Sequence, residues 1–139
     1  MLATDYKQQP QKASMDLAKW ALFDDDRAFR LIMESVARMH GICLETFESL
    51  QDLGSMSLLK NYRLIIVDHH LHQWKGYEIA EYSDVFFKET PVMIVSSDPD
   101  ISLADNWPKV VKKFAPKSLG PEMLIKEALK IENAKAKIA

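Results

Sequence analysis

Short apolar runs recur along the chain, and polar residues close most of them. Trp20-Ala21-Leu22-Phe23 stops at Asp24-Asp25-Asp26. Leu64-Ile65-Ile66-Val67 stops at Asp68, and Pro91-Val92-Met93-Ile94-Val95 stops at Ser96-Ser97-Asp98. Runs this short and apolar predict strands buried on both faces. Ile42 to Phe47 alternates more loosely and predicts a strand nearer an edge. A short strand near Lys113-Phe114-Ala115 completes the set.

Between the runs the period changes to that of a helix. Phe29, Ile32, Met33 and Val36 share one face, with Arg27, Arg30, Glu34 and Arg38 opposite. His40-Gly41 ends this helix, because glycine accepts the left-handed backbone. Leu50, Leu53, Leu58 and Leu59 predict a second helix over 50–60, weakened by Gly54. A third starts at Gly76 with Tyr77, Ile79, Ala80 and Tyr82. Pro99 opens a fourth that Pro108 must break. Gly120-Pro121-Glu122 opens the last, through Leu124, Ile125, Ala128, Leu129 and Ile131. Strands alternating with helices predict an α/β architecture, a doubly wound (βα)5 five-stranded parallel sheet covered on both faces. Residues 1–17 are polar and patternless and predict a flexible tail, leaving 18–139 as one domain.

Composition narrows the class. Of 139 residues, 47% are hydrophobic and 27% charged, an ordinary globular mix. Eighteen Lys and Arg against 20 Asp and Glu leave a net charge of -2, which argues against nucleic-acid binding through phosphates. A single cysteine, Cys43, makes neither an internal disulfide nor a cysteine zinc site. No apolar run reaches the ~20 residues of a membrane span, and the first 18 residues lack a signal-peptide core. A cytoplasmic protein without membrane attachment is expected. The basic end, Lys130, Lys135 and Lys137, suits the C-terminal end of a helix dipole.

Asp24, Asp25, Asp68, Ser96 and Lys117 all follow the carboxyl ends of predicted strands. In open parallel sheets that edge binds ligands. Each residue alone has an ordinary role: an acidic triplet caps a helix, a serine ends a strand, a lysine is surface charge. Together, converging carboxylates require a cation among them or protonation. Mg²⁺ suits oxygen donors. A lysine and a hydroxyl nearby suit a phosphoryl group, and a carboxylate can itself be the nucleophile that forms an aspartyl-phosphate.

These residues, with Gly76 and the run Pro91–Ser96, resemble the receiver domain of two-component response regulators over roughly 18–131. The eight-residue step from Asp68 to Gly76 and the 21-residue step from Ser96 to Lys117 are close to that family's spacing. The resemblance implies a flavodoxin-like, CheY-like fold in a signalling protein rather than an enzyme. It implies Asp68 as phosphoacceptor, receiving a phosphoryl group from a histidine kinase or phosphotransfer protein. It implies Mg²⁺ held by Asp25 and Asp68, by Asp24 directly or through water, and by the His70 carbonyl. Ser96 and Lys117 would hold the phosphoryl oxygens, and Phe114 would be the switch aromatic. A changed protein-binding face would reach a target protein, with a homodimer left open. Since few residues follow Ile131, a stand-alone or excised receiver is expected.

The chain departs from that pattern in three places. His72 stands where the loop proline is usual, Lys109-Val110-Val111 replaces small residues before the fifth strand, and Asn106-Trp107-Pro108 interrupts the fourth helix. The helix-four departure supports an alternative, a receiver-like interaction module that does not use phosphate. His69, His70 and His72 admit a transition-metal reading or that of a polar loop beside the site, with His70 placed to affect the phosphate's lifetime. Val67-Asp68-His69-His70 also resembles a motif of DHH-type Mn²⁺ phosphoesterases, but the further Asp and His motifs of that class are missing.

Overall fold

The computed structural model describes residues 18–70, 76–86, 89–98 and 107–138. Five parallel strands form one sheet: β1 (Ala18–Phe23), β2 (Ile42–Phe47), β3 (Leu64–Asp68), β4 (Val92–Ser96) and β5 (Val111–Pro116). Their order is β2-β1-β3-β4-β5. The expected edge position of the looser strand, β2, is found. Every residue of β3 and β4 is buried, as their unbroken apolar runs require.

Alternate residues of each strand feed two cores, because successive side chains leave a strand on opposite faces. Trp20, Leu22, Ile66 and Met93 pack with Met33 and Ala37 of α1 (Arg27–Met39) and with Leu124, Ile125 and Ala128 of α3 (Pro121–Ile138). Ala21, Phe23, Val67 and Ile94 pack on the other face with Ile79 and Ala80 of α2 (Gly76–Phe86). The sheet is thus covered on both sides, and its polar strand ends are collected at one rim.

One expected helix is corrected. Residues 50–60 form two 3₁₀ segments, Leu50–Leu53 and Met56–Asn61, instead of one α-helix. Gly54 separates them at φ 92°, a left-handed value that no continuing helix adopts, and Ser55 caps the second segment by accepting from the Ser57 N–H. The leucines still reach the core: Leu50, Leu53 and Leu59 are buried. Apolar period alone therefore did not distinguish a helix from two tight turns presenting the same face. α1 ends as expected, with Gly41 at φ 74° and its N–H donating to the Arg38 carbonyl at 3.0 Å. The tail over 1–17, the fourth helix from Pro99 and His72 lie outside the described residues.

The last helix is tied to the far end of the sheet through a buried carboxylate. Trp20 Nε1 donates to Glu132 Oε2 at 3.0 Å, and Arg63 Nε lies 3.3 Å from the same oxygen. Glu132 is only 8% exposed, so removing it strands a buried indole N–H. Glu132→Ala is expected to lower stability by about 1–3 kcal/mol, read as the shift in urea midpoint. An unchanged midpoint would show that this contact contributes nothing.

Candidate functional site

β1 delivers the acidic triplet to the rim, and the structure divides its labour. Asp26 caps α1, its Oδ1 accepting from the Phe29 N–H at 3.2 Å. Asp24 turns inward and is fully buried. Its Oδ1 accepts from the Asp26 N–H at 2.9 Å, and its carbonyl accepts from Arg30 Nη1 at 2.8 Å. The cap role of Asp-Asp-Asp thus falls to Asp26, while Asp24 is turned toward the rim interior.

Asp68 ends β3, adjacent to β1, and is 6% exposed. One carboxylate oxygen from each of Asp24, Asp25 and Asp68 lies within 4.8 Å of the others. Lys117, in the 3₁₀ turn Lys117–Leu119 directly after β5, brings the opposing charge. Its Nζ is 2.7 Å from Asp24 Oδ2, 3.6 Å from Asp68 Oδ1 and 4.6 Å from the centroid of the Phe29 ring. The ammonium is thus the counter-cation of the carboxylate cluster, and an aromatic face completes its surroundings.

Crowding shows in the protonation energetics. Burial, with the neighbouring charges of Asp24 and Asp25, pushes the Asp68 carboxyl up to about 6, against the opposing pull of Lys117 and of the His70 backbone N–H. Burial likewise raises Asp24, opposed by Lys117. Burial alone would lower the Lys117 ammonium, but its hydrogen bond to Asp24 and the charges of Asp24, Asp68 and Asp26 carry it above its ordinary value. Two buried carboxylates and a more exposed third, with one lysine among them, make a site that gains by taking up a further cation. The donors are all hard carboxylate oxygens, which fits Mg²⁺ rather than a soft metal.

Ser96 ends β4 one residue beyond Val95, the register partner of Asp68, and is buried; its Oγ accepts from the Asp98 N–H at 3.0 Å. His70 is exposed, and its ring meets that of His69 at 4.6 Å between centroids. Phe114 is half-buried, 5.9 Å from His69 and 5.7 Å from Trp107. Among the described residues, the cluster of three potential metal ligands contains carboxylates only, with no histidine. The Asp68-His69-His70 sequence therefore does not assemble the mixed Asp/His site of a Mn²⁺ phosphoesterase there.

Three participants escaped the sequence reading. Phe29 packs against the core as its helical spacing predicts, and its ring also lies beneath Lys117. Arg30, opposite the apolar residues of its helix, holds the Asp24 carbonyl. Trp107 was read only as a helix interruption, yet it packs on Phe114. The spacing of Phe29 and Arg30 just after the triplet was the available signal for the first two; Trp107 left none.

No family model matches the sequence, and no curated protein matches it. Solved structures do. A response regulator receiver domain protein from Clostridium thermocellum superposes with a TM-score of 0.74 at 18% identity, covering 88% of this chain and 100% of that one. Chemotaxis response regulator CheY4 of Vibrio cholerae gives 0.72 at 19% identity, covering 83% and 98%. The BeF3-activated DrrB receiver domain gives 0.66 at 20% identity, covering 85% and 98%. The chain therefore has the CheY-like, doubly wound fold found in response regulator receiver domains. Among the described residues no helix is long and apolar enough to cross a membrane.

Proposed function

We propose that this protein is a phosphoacceptor signalling domain whose Asp68 receives a phosphoryl group from a phosphohistidine on a histidine kinase or phosphotransfer protein. The carrying observation is that Asp24, Asp25, Asp68 and Lys117, from three different strand ends, converge within a few ångströms at one rim. The likeness to receiver structures supports the same reading.

In the transfer, an Asp68 carboxylate oxygen forms a bond to phosphorus as the phosphorus–nitrogen bond to the donor imidazole breaks. The imidazole leaves with the electron pair of that bond. With its carboxyl at about 6, Asp68 is mostly ionised at neutral pH and competent to attack. Asp24, Asp25, Asp68 and the His70 carbonyl would hold Mg²⁺, which would supply charge neutralisation for the phosphoryl oxygens. Lys117 moves its ammonium from Asp24 toward the new phosphoryl charge, and the Ser96 hydroxyl donates to a phosphoryl oxygen. These movements shift the carboxyl ends of β4 and β5 and allow Phe114 to turn, altering the face offered to a target protein. Exposed His70, two residues beyond Asp68, sets access of water to the acyl phosphate and hence its lifetime.

Incubation with acetyl phosphate and Mg²⁺ is expected to add the mass of one phosphate, in intact-protein mass spectrometry, and a chelator is expected to prevent it. No gain, or a gain indifferent to chelator, would overturn the proposal.

A further inference from the structure

We propose that Trp107 is a positioning residue for Phe114, clamping its ring against His69 while Asp68 is unmodified; this rests on the phosphoacceptor reading above. The rings of His69, Trp107 and Phe114 form a closed triangle. Their centroids are 5.8 Å apart for His69 and Trp107, 5.9 Å for His69 and Phe114, and 5.7 Å for Trp107 and Phe114. All three pairs lie in the range where tilted and edge-to-face contacts are favourable.

Each ring is carried by a different part of the chain. His69 directly follows Asp68, and its backbone N–H donates to the Val95 carbonyl at 2.8 Å. It therefore moves with the phosphoacceptor and with the end of β4. Phe114 belongs to β5, three residues before Lys117. Trp107 opens the turn into β5. That turn is held by the Val111 N–H donating to the Pro108 carbonyl at 3.0 Å, and by the Val110 N–H donating to Asp84 Oδ1 of α2 at 3.2 Å. Trp107 and Phe114 also pack on the same hydrophobic cluster.

Any rotation that takes Phe114 out of this triangle breaks the edge with Trp107 and the edge with His69 together. The clamp favours the unmodified state, so it opposes any ligand that requires Phe114 to move. By linkage, a ligand that favours the moved ring must loosen Trp107 to the same extent. A residue that merely filled space would stabilise both states alike and leave ligand affinity untouched.

The test uses beryllofluoride with Mg²⁺ as the phosphoryl mimic, on the full chain labelled with 5-fluorotryptophan. Trp107 is one of three tryptophans, and its fluorine signal is assigned by its loss in Trp107→Phe. The bound-beryllofluoride signal reports occupancy separately. The clamp predicts that the Trp107 signal shifts on saturation and that the shift is lost in Phe114→Ala. It also predicts that Trp107→Ala binds the mimic about fivefold more tightly, while Trp107→Phe stays within twofold of wild type. If Trp107→Ala does not fold, the signal in wild type and Phe114→Ala decides alone. Bound mimic with a motionless Trp107 signal, or equal affinity in a folded Trp107→Ala, would overturn the clamp and leave the phosphoacceptor reading standing. Absence of bound mimic in wild type would overturn both.

Discussion

Asp68→Asn is expected to abolish labelling by acetyl phosphate completely while making the protein more stable at neutral pH. The loss follows because the amide is no nucleophile, and no other carboxylate in the cluster shares its place at the end of β3 beside Lys117. The gain in stability follows from electrostatics. The Asp68 carboxyl stands at about 6 in the fold against 3.8 for an ordinary aspartate, with burial as the main cause. A carboxyl raised by folding is neutral and costs nothing below the unfolded value. It then costs stability increasingly as pH rises through the folded value. The full cost, reached above about pH 6, is about 3 kcal/mol for this shift. Asn removes the titration. The variant should therefore gain on wild type progressively between about pH 4 and pH 7, by about 1–3 kcal/mol at the upper end once its weaker contact with Lys117 is counted. Urea unfolding of both proteins across that range, in metal-free buffer, measures it. A stability difference that does not change with pH would show that Asp68 is not held against its charge. Labelling that persists at another residue would displace Asp68 as the acceptor.

Lys117→Met should have the opposite effect on stability and should be rescued by a divalent cation. Asp24 is fully buried, and the ammonium 2.7 Å from its Oδ2 is its nearest opposing charge. Removing one partner of such a buried pair leaves an uncompensated carboxylate, and the neighbouring carboxylates of Asp25 and Asp68 make it worse. A loss of about 2–4 kcal/mol in metal-free buffer is expected. Mg²⁺ then meets a more negative cluster, so the variant should bind it more tightly than wild type. At one hundred times its dissociation constant the ion restores about 2.7 kcal/mol. Urea midpoints with and without Mg²⁺ give both numbers. If the variant is as stable as wild type without metal, Lys117 is not the counter-cation of the cluster. If Mg²⁺ leaves the variant's midpoint unmoved, the three carboxylates do not form a cation site.

The two predictions share one physical origin. Three carboxylates and one amine at a strand-end rim are stable only as a balanced set. Shifting any one of them redistributes the charge borne by the rest. That balance is what makes the site responsive: a cation, a phosphoryl group or the lysine can each supply or demand charge there.

Much of the frame can be read along the chain. β3 and β4 are short unbroken apolar runs, and only a sheet covered on both sides gives such runs a place to be buried. Once the sheet is parallel, every strand's carboxyl end faces the same way. Asp24, Asp68, Ser96 and Lys117 must then gather on one edge whatever the details of packing. Those placements follow from period and order, which are properties of one dimension.

Contacts between residues distant in the chain do not follow from period. The leucines of 50–60 repeat as a helix would, yet Gly54 divides them into two turns, because both arrangements bury the same side chains. Phe29 beneath Lys117, Arg30 on the Asp24 carbonyl, and Trp107 against Phe114 each depend on where one element's side chain lands on another. Burial energy is nearly indifferent to such pairings, since an apolar ring gains about as much against one apolar neighbour as another. What selects among them is the three-dimensional register of the sheet and the angles of its helices, and that register is settled by the whole chain at once.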